Sequence, residues 1–142
     1  MDATDASLRA ALRRLGCDAF RPGQERIVQN LLAQRDVLAI MPTGAGKSLP
    51  YQLLSQVLPR ATVVISPLIA LMHDQLRAAE AVGIRAASLT SVDTDRWETQ
   101  RRLCAGELDL LYVAPEPLVR PMERLHQNLA ISVPTLSQIA AE

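Results

Sequence analysis

A short apolar run, residues 37–40 (Val-Leu-Ala-Ile), leads directly into Met41-Pro42-Thr43-Gly44-Ala45-Gly46-Lys47-Ser48, and an amphipathic segment follows. No other feature of the 142 residues restricts the fold as much. Glycines at 44 and 46 let the backbone turn tightly and aim its N–H groups at one point, where phosphate oxygens fit. The start of a helix adds partial positive charge at the same place. In such a loop Lys47 reaches the β- and γ-phosphates and is the candidate catalytic residue, while the Ser48 hydroxyl is placed to ligate Mg²⁺. The usual pattern is G-x-x-x-x-G-K-[ST]. Here Met41 holds the first glycine position, so the match is to a relaxed form. The expected ligands are ATP and Mg²⁺, on residues Thr43, Gly44, Ala45, Gly46, Lys47 and Ser48.

The loop sits in a chain of alternating elements. Residues 7–15 read as a short helix with Leu8, Leu12 and Leu15 on one face, closed by Gly16. Pro22 and Gly23 mark a turn, and residues 24–33 read as a second helix with Ile27, Val28, Leu31 and Leu32 inward. Residues 34–36 form a polar turn before 37–40, which, being continuously apolar, predicts a strand buried on both faces. A helix over about 47–56 carries Pro50 in its first turn, where a missing N–H is tolerated. A second buried strand is predicted over 61–66, a helix over 69–81, a strand over 85–89 and a helix over 94–104 with Trp97 and Leu103 packing inward. A strand at 108–113 follows, and a fifth is placed at 129–133. This order gives an α/β fold, a mainly parallel sheet flanked by helices.

Composition narrows the function. Hydrophobic residues make up 49% of the chain, enough for a packed core. Lys plus Arg and Asp plus Glu are each 15, so there is no polybasic tail for nucleic acid. Cys17 and Cys104, with His73 and His126, have no metal-ligand spacing. Two distant cysteines suit a reducing compartment, and the polar, acidic start MDATDASLRA does not resemble a secretory signal. No apolar run reaches membrane-spanning length. The expectation is a cytoplasmic protein without a membrane partner, nucleoid-associated if bacterial.

Five stretches, in order and at matching spacing, carry a resemblance to the RecQ-type ATP-dependent DNA helicases. They are LGCDAFRPGQ (15–24), MPTGAGKSLPYQ (41–52), VVISPLIALMHDQ (63–75), SLTS (88–91) and LLYVAPEPL (110–118). The resemblance spans about residues 8–125 and leaves 126–142 as a divergent tail. It implies a P-loop NTPase, RecA-like lobe, of which the chain is the first part. The first stretch is similar to the family's adenine-recognition motif, F-G-[YF]-x-x-F-R-x-x-Q. That implies that Gln24 donates to and accepts from the adenine edge, with Arg21 near the base or ribose. Leu15 and Cys17 stand where the family has aromatic residues; the second of those stacks on the base, a contact worth roughly 1–3 kcal/mol. The third stretch implies single-stranded DNA contact. Ser66 and Pro67 leave a strand at its carboxyl end, where ligands of open α/β sheets bind and where N–H groups meet phosphate. In the fifth, Pro117 replaces the family's arginine, removing a cationic donor.

The family's Asp-Glu-x-His tetrad, which holds Mg²⁺ and activates water, is not found in this sequence. The second motor lobe is not matched either. The reading is therefore an N-terminal fragment of a RecQ-like 3′–5′ DNA helicase, one partial domain over 1–142, binding ATP and single-stranded or forked DNA but deficient alone in hydrolysis and unwinding. The alternative is a non-catalytic nucleotide- or partner-binding module that regulates a full-length helicase. A generic P-loop kinase is disfavoured by the fixed order of Gln24, Lys47, Ser66-Pro67 and Pro115-Glu116.

Overall fold

The computed structural model describes residues 3–91 and 95–115. These form two compact units, one up to Leu58 and one beginning at Pro59.

The first unit is helical. Helix α1 (Ala3–Arg14) has Asp5 in its first turn and Arg13 and Arg14 in its last, the charge order that a helix dipole favours. Gly16, at φ +71°, closes it, with Cys17 N–H donating to Leu12 O. Helix α2 (Gln24–Leu32) buries Val28. Its end turns through Gln34 at φ 56°, the only non-glycine residue with positive φ among the described residues. Helix α3 (Leu49–Val57) carries Pro50 in its first turn, as the sequence implies. Ala11, Leu12, Val28, Leu49, Leu53 and Leu54 form the core between these helices, with Phe20 and Cys17 packed at its border.

Residues 37–40 are not the buried strand that their composition predicts. They have no strand assignment, and Leu38 and Ile40 are 79% and 91% exposed. An apolar run becomes a central strand only if partners supply hydrogen bonds on both sides. No strand pairing is formed by this segment among the described residues. Its composition reports what it is suited to join, and local sequence cannot supply the neighbour.

The second unit is a parallel sheet with its helices. Strands β1 (Thr62–Ile65), β2 (Ala86–Leu89) and β3 (Leu110–Val113) are joined through helices α4 (Ile69–Ala81) and α5 (Arg96–Cys104). The order is β1-β3-β2, so the last strand in sequence lies in the middle. Leu110 pairs with Thr62 on one side and Ala86 on the other, and Val113 with Ile65 and Leu89. Every residue of β3 is buried, which its run of apolar residues requires. Ala87, Leu89, Leu111 and Val113 share one face, with Leu103 of α5 against it. Two expectations fail here. β1 is an edge strand in this sheet, with Val63 50% exposed, because it has a partner on one side only. Trp97 is 72% exposed and Leu103 alone provides the inward contact expected of both. The strand placed at 129–133 lies outside the described residues. Among the described residues, no helix is long and apolar enough to cross a membrane.

Arg85 and Asp109 tie the starts of β2 and β3 together. The Asp109 carboxylate accepts from the Arg85 backbone N–H and Nε, both at 3.0 Å, and pairs with Nη2. The Arg85 hydrogen bonds hold the Asp109 carboxyl below its ordinary range. A depressed folded-state pKa means stability that is present above the unfolded carboxylate pKa of about 3.9 and lost as pH falls through the lower folded value. Asp109→Asn is therefore expected to lower the urea midpoint at pH 7, and the gap to the parent should close on acidification below pH ~4. A gap that stays constant with pH would show that the charge of Asp109 contributes nothing.

Candidate functional site

The glycine loop lies between the irregular segment 37–42 and α3. Gly44 and Gly46 have φ of +80° and +78°, the left-handed region that side-chain-bearing residues avoid. Ala45 N–H closes a turn on Pro42 O at 3.2 Å, and Leu49 N–H reaches Gly46 O at 3.2 Å. Among the described residues no acceptor takes the N–H of Gly44, Gly46, Lys47 or Ser48. The first turn of α3 contains no acidic residue, and Ser48, at its N-cap, makes no capping bond with its hydroxyl. An N-cap serine ordinarily spends its oxygen on the helix's own N–H groups. Here the donors and the hydroxyl remain available, beside a lysine with no carboxylate partner among the described residues. Such a set of donors suits a multiply charged oxyanion.

The loop is held from the side by the turn that starts α2. Gln24 is 1% exposed. Its Nε2 donates to Ala45 O at 3.2 Å and Gly46 O at 2.9 Å, and its Oε1 accepts from Arg21 N–H at 2.8 Å. Arg21 Nη1 donates to Gly44 O at 2.6 Å. The carbonyls of three successive loop residues are thereby turned towards the α2 side. Gly23, at φ +86°, gives the chain the bend that precedes Gln24. A cleft of ≈ 850 Å³ borders the loop at Pro42 and Ala45 and is walled by Arg21, Arg26, Ile27 and Leu38.

The structure thus brings together Arg21, Gln24 and residues 43–48, which the sequence places about twenty positions apart. Ser66 and Pro67 belong to the second unit. Ser66 N–H donates to Val113 O at 3.1 Å, its Oγ accepts from Leu68 N–H at 3.3 Å, and Pro67 is exposed. Asp74 forms an exposed ion pair with Arg77 within α4. Glu116 and Pro117 lie outside the described residues. Among the described residues no three His, Cys, Asp or Glu side chains gather into a metal site. Sequence reasoning did not foresee the bonds from Gln24 to the loop carbonyls. The only signal was the presence of a glycine where a Cβ would not fit.

That signal gives a test. A Cβ on Gly46 would lie 2.6 Å from Gln24 Nε2, whereas one on Gly44 would meet nothing within 4 Å. Both positions carry the left-handed penalty of roughly 1–2 kcal/mol. Gly46→Ala is expected to cost more than Gly44→Ala in chemical denaturation, because it also displaces a bonded amide. Equal costs would mean that the Gln24 contact adds nothing to stability.

The profile of the family described as DEAD/DEAH box helicase matches residues 21–136. The ATP-dependent DNA helicase RecQ of Haemophilus influenzae is 43% identical over 106 residues, covering 73% of this chain and 17% of its own length. The mouse ATP-dependent DNA helicase Q4 is 43% identical over 122 residues, covering 82% of this chain and 10% of its own. The Arabidopsis thaliana ATP-dependent DNA helicase Q-like 5 is 36% identical over 137 residues, or 93% of this chain and 15% of its own. The chain thus spans less than a fifth of each of these relatives. Among solved structures, a hypothetical ATP-dependent RNA helicase from Sulfolobus tokodaii superposes with a TM-score of 0.60 at 16% identity, over 84% of this chain and 37% of that one. At that identity the likeness is one of fold.

Proposed function

Since the chain belongs to the DEAD/DEAH box helicase family, in its RecQ-type branch, we propose that it is the nucleotide-binding part of an ATP-dependent DNA helicase's first motor lobe. Residues 43–48 take the triphosphate, Lys47 meets its terminal phosphates, and Arg21 and Gln24 hold the loop in shape for it. The observation that carries this reading is the cluster of acceptor-free N–H groups around Gly44, Gly46, Lys47 and Ser48. The Ser48 hydroxyl is placed to meet Mg²⁺, which supplies charge neutralisation between phosphates when bound. Ser66 and Pro67, at the carboxyl end of β1, are proposed to contact the backbone of single-stranded DNA, with Ser66 N–H already committed and its hydroxyl proton free to donate.

The 142 residues by themselves are proposed to bind nucleotide without turning it over. They contain no Asp-Glu-x-His tetrad to activate water, so ATP hydrolysis with single-stranded DNA is expected at background. Calorimetric titration with a non-hydrolysable ATP analogue and Mg²⁺ tests the reading. Saturable binding is expected. Folded protein that binds none would overturn it.

A further inference from the structure

Trp97 is the one tryptophan of the chain, and it is 72% exposed. The other aromatic side chains are withdrawn from solvent: Tyr112 is buried in β3, and Phe20 and Tyr51 are half-buried. Leu103 of α5 turns to the sheet, and a residue six positions earlier lies about 120° round the helix from it. Trp97 therefore shares an outer stripe with Gln100, Arg101 and Cys104, all exposed.

Exposure of one apolar side chain is ordinary. What distinguishes Trp97 is where α5 places it. The helix joins the parallel strands β2 and β3, so it runs back against their direction. The Arg85 guanidinium, at the start of β2, donates to Gly106 O just past the end of α5, at 3.4 Å. The end of α5 thus lies at the amino edge of the sheet. Its nine residues rise about 13 Å, much as the four-residue strands do, so its first turn, with Trp97, reaches the carboxyl edge. The same edge carries Ser66, bonded to Val113 O, and Ala114, bonded to Leu89 O. Two strand spacings, on the order of 10 Å, separate β1 from β2, a distance that a few nucleotides span.

Chemistry selects the occupant. Helix α5 holds Arg96, Arg101 and Arg102 against Glu98 alone, in a chain of zero net charge. Glu98 and Glu107 pair with Arg101, while Arg96 and Arg102 have no ion pair among the described residues. A protein partner is best held by a contiguous apolar patch, and the stripe around Trp97 offers Gln100 and Arg101 instead. A nucleic-acid base needs one ring face, and its phosphates need cations nearby.

We propose that Trp97 stacks on a base of single-stranded DNA, with Arg96 and Arg102 of the same helix attracting the phosphates. This inference rests on the DNA-contact reading of Ser66 and Pro67 given above, and supplies that edge with a contact to the bases.

As the only tryptophan, Trp97 reports on itself. The test titrates the whole chain with a short single strand of DNA and with an abasic strand of equal length. Anisotropy of a labelled strand reads binding, and tryptophan emission reads stacking. The strand with bases is expected to quench Trp97, and the abasic strand to bind more weakly without quenching. Trp97→Ala should unfold at the parent's urea concentration, because the ring is exposed. It is expected to weaken the strand with bases about 5- to 150-fold, the range for one lost stack, and to leave the abasic strand unaffected. The slope of affinity against salt should not change in that variant, since no charge is removed, whereas Arg102→Gln should flatten it by about one. Trp97→Phe should recover part of the lost affinity. Binding without quenching, equal in parent and Trp97→Ala, would overturn the stacking role and leave the Ser66 reading standing. A blue shift of the emission with rising protein concentration, in the absence of DNA, would give this face to a second copy of the chain instead. Folded protein that binds neither strand would overturn both readings.

Discussion

Replacing Lys47 with alanine is expected to weaken triphosphate binding strongly while leaving the stability of the chain within about 0.5 kcal/mol of the parent. The two outcomes separate because Lys47 is half-buried at the loop, outside the helical core, and pairs with no carboxylate among the described residues. A charge-assisted hydrogen bond contributes roughly 1.5–3 kcal/mol, so affinity should fall about 10- to 150-fold. Lys47→Arg is expected to recover part of that loss, since charge returns but the planar fork does not fit a site built for a point charge. The measurement is calorimetric titration of the three proteins beside urea denaturation. Binding by the alanine variant equal to that of the parent would move the ligand site away from this loop.

Leu53→Ala is expected to have the largest effect on stability. Leu53 is fully buried on α3, at the centre of a core it shares with Ala11 and Leu12 of α1 and Val28 of α2. Truncating a buried leucine removes transfer energy and leaves a cavity, about 2–5 kcal/mol together. Marginal domains have roughly 5–15 kcal/mol in total, so this single change consumes a large share. The consequence reaches the candidate site, because α3 begins immediately after Ser48 and fixes the direction of the loop's N–H groups. Leu53→Met, which conserves volume, should cost less than ~1.5 kcal/mol and retain binding. Urea denaturation read by hydrogen exchange in α1 to α3 provides the check. A loss below ~1 kcal/mol for the alanine variant would mean that the helical core is loosely packed at this point.

Legibility in the sequence divides along a physical line. Helix α4 runs from Ile69 to Ala81, as its periodicity predicts, and α1 to α3 and α5 lie within a few residues of their expected bounds. Gly16 closes α1 and Pro50 sits in the first turn of α3, since capping and proline geometry depend on the residues at hand. The three described strands occur where short apolar runs lie between helices, and their parallel pairing follows from the connecting helices. The tight turn at residues 43–48 was equally plain, because the glycines at 44 and 46 set its left-handed backbone locally.

What the sequence did not contain was the identity of each partner. The same apolar composition gives a fully buried β3, a half-exposed β1 and, at residues 37–40, no strand at all. Strand pairing is a long-range hydrogen-bonding event, and a segment cannot encode in itself whether neighbours flank it. Gln24 shows the same limit in a side chain. Its family resemblance points to a base, and a glutamine amide also bonds whatever donors and acceptors the fold sets within 3 Å or so. In this fold they are the Arg21 N–H and the carbonyls of Ala45 and Gly46. The sequence alone determined the helices, the alternation of strand and helix and the glycine turn at 43–48, each set by residues close together in the chain. Only the tertiary structure decided which strand lies in the middle and what Gln24 holds, because both depend on groups brought together from more than twenty positions apart.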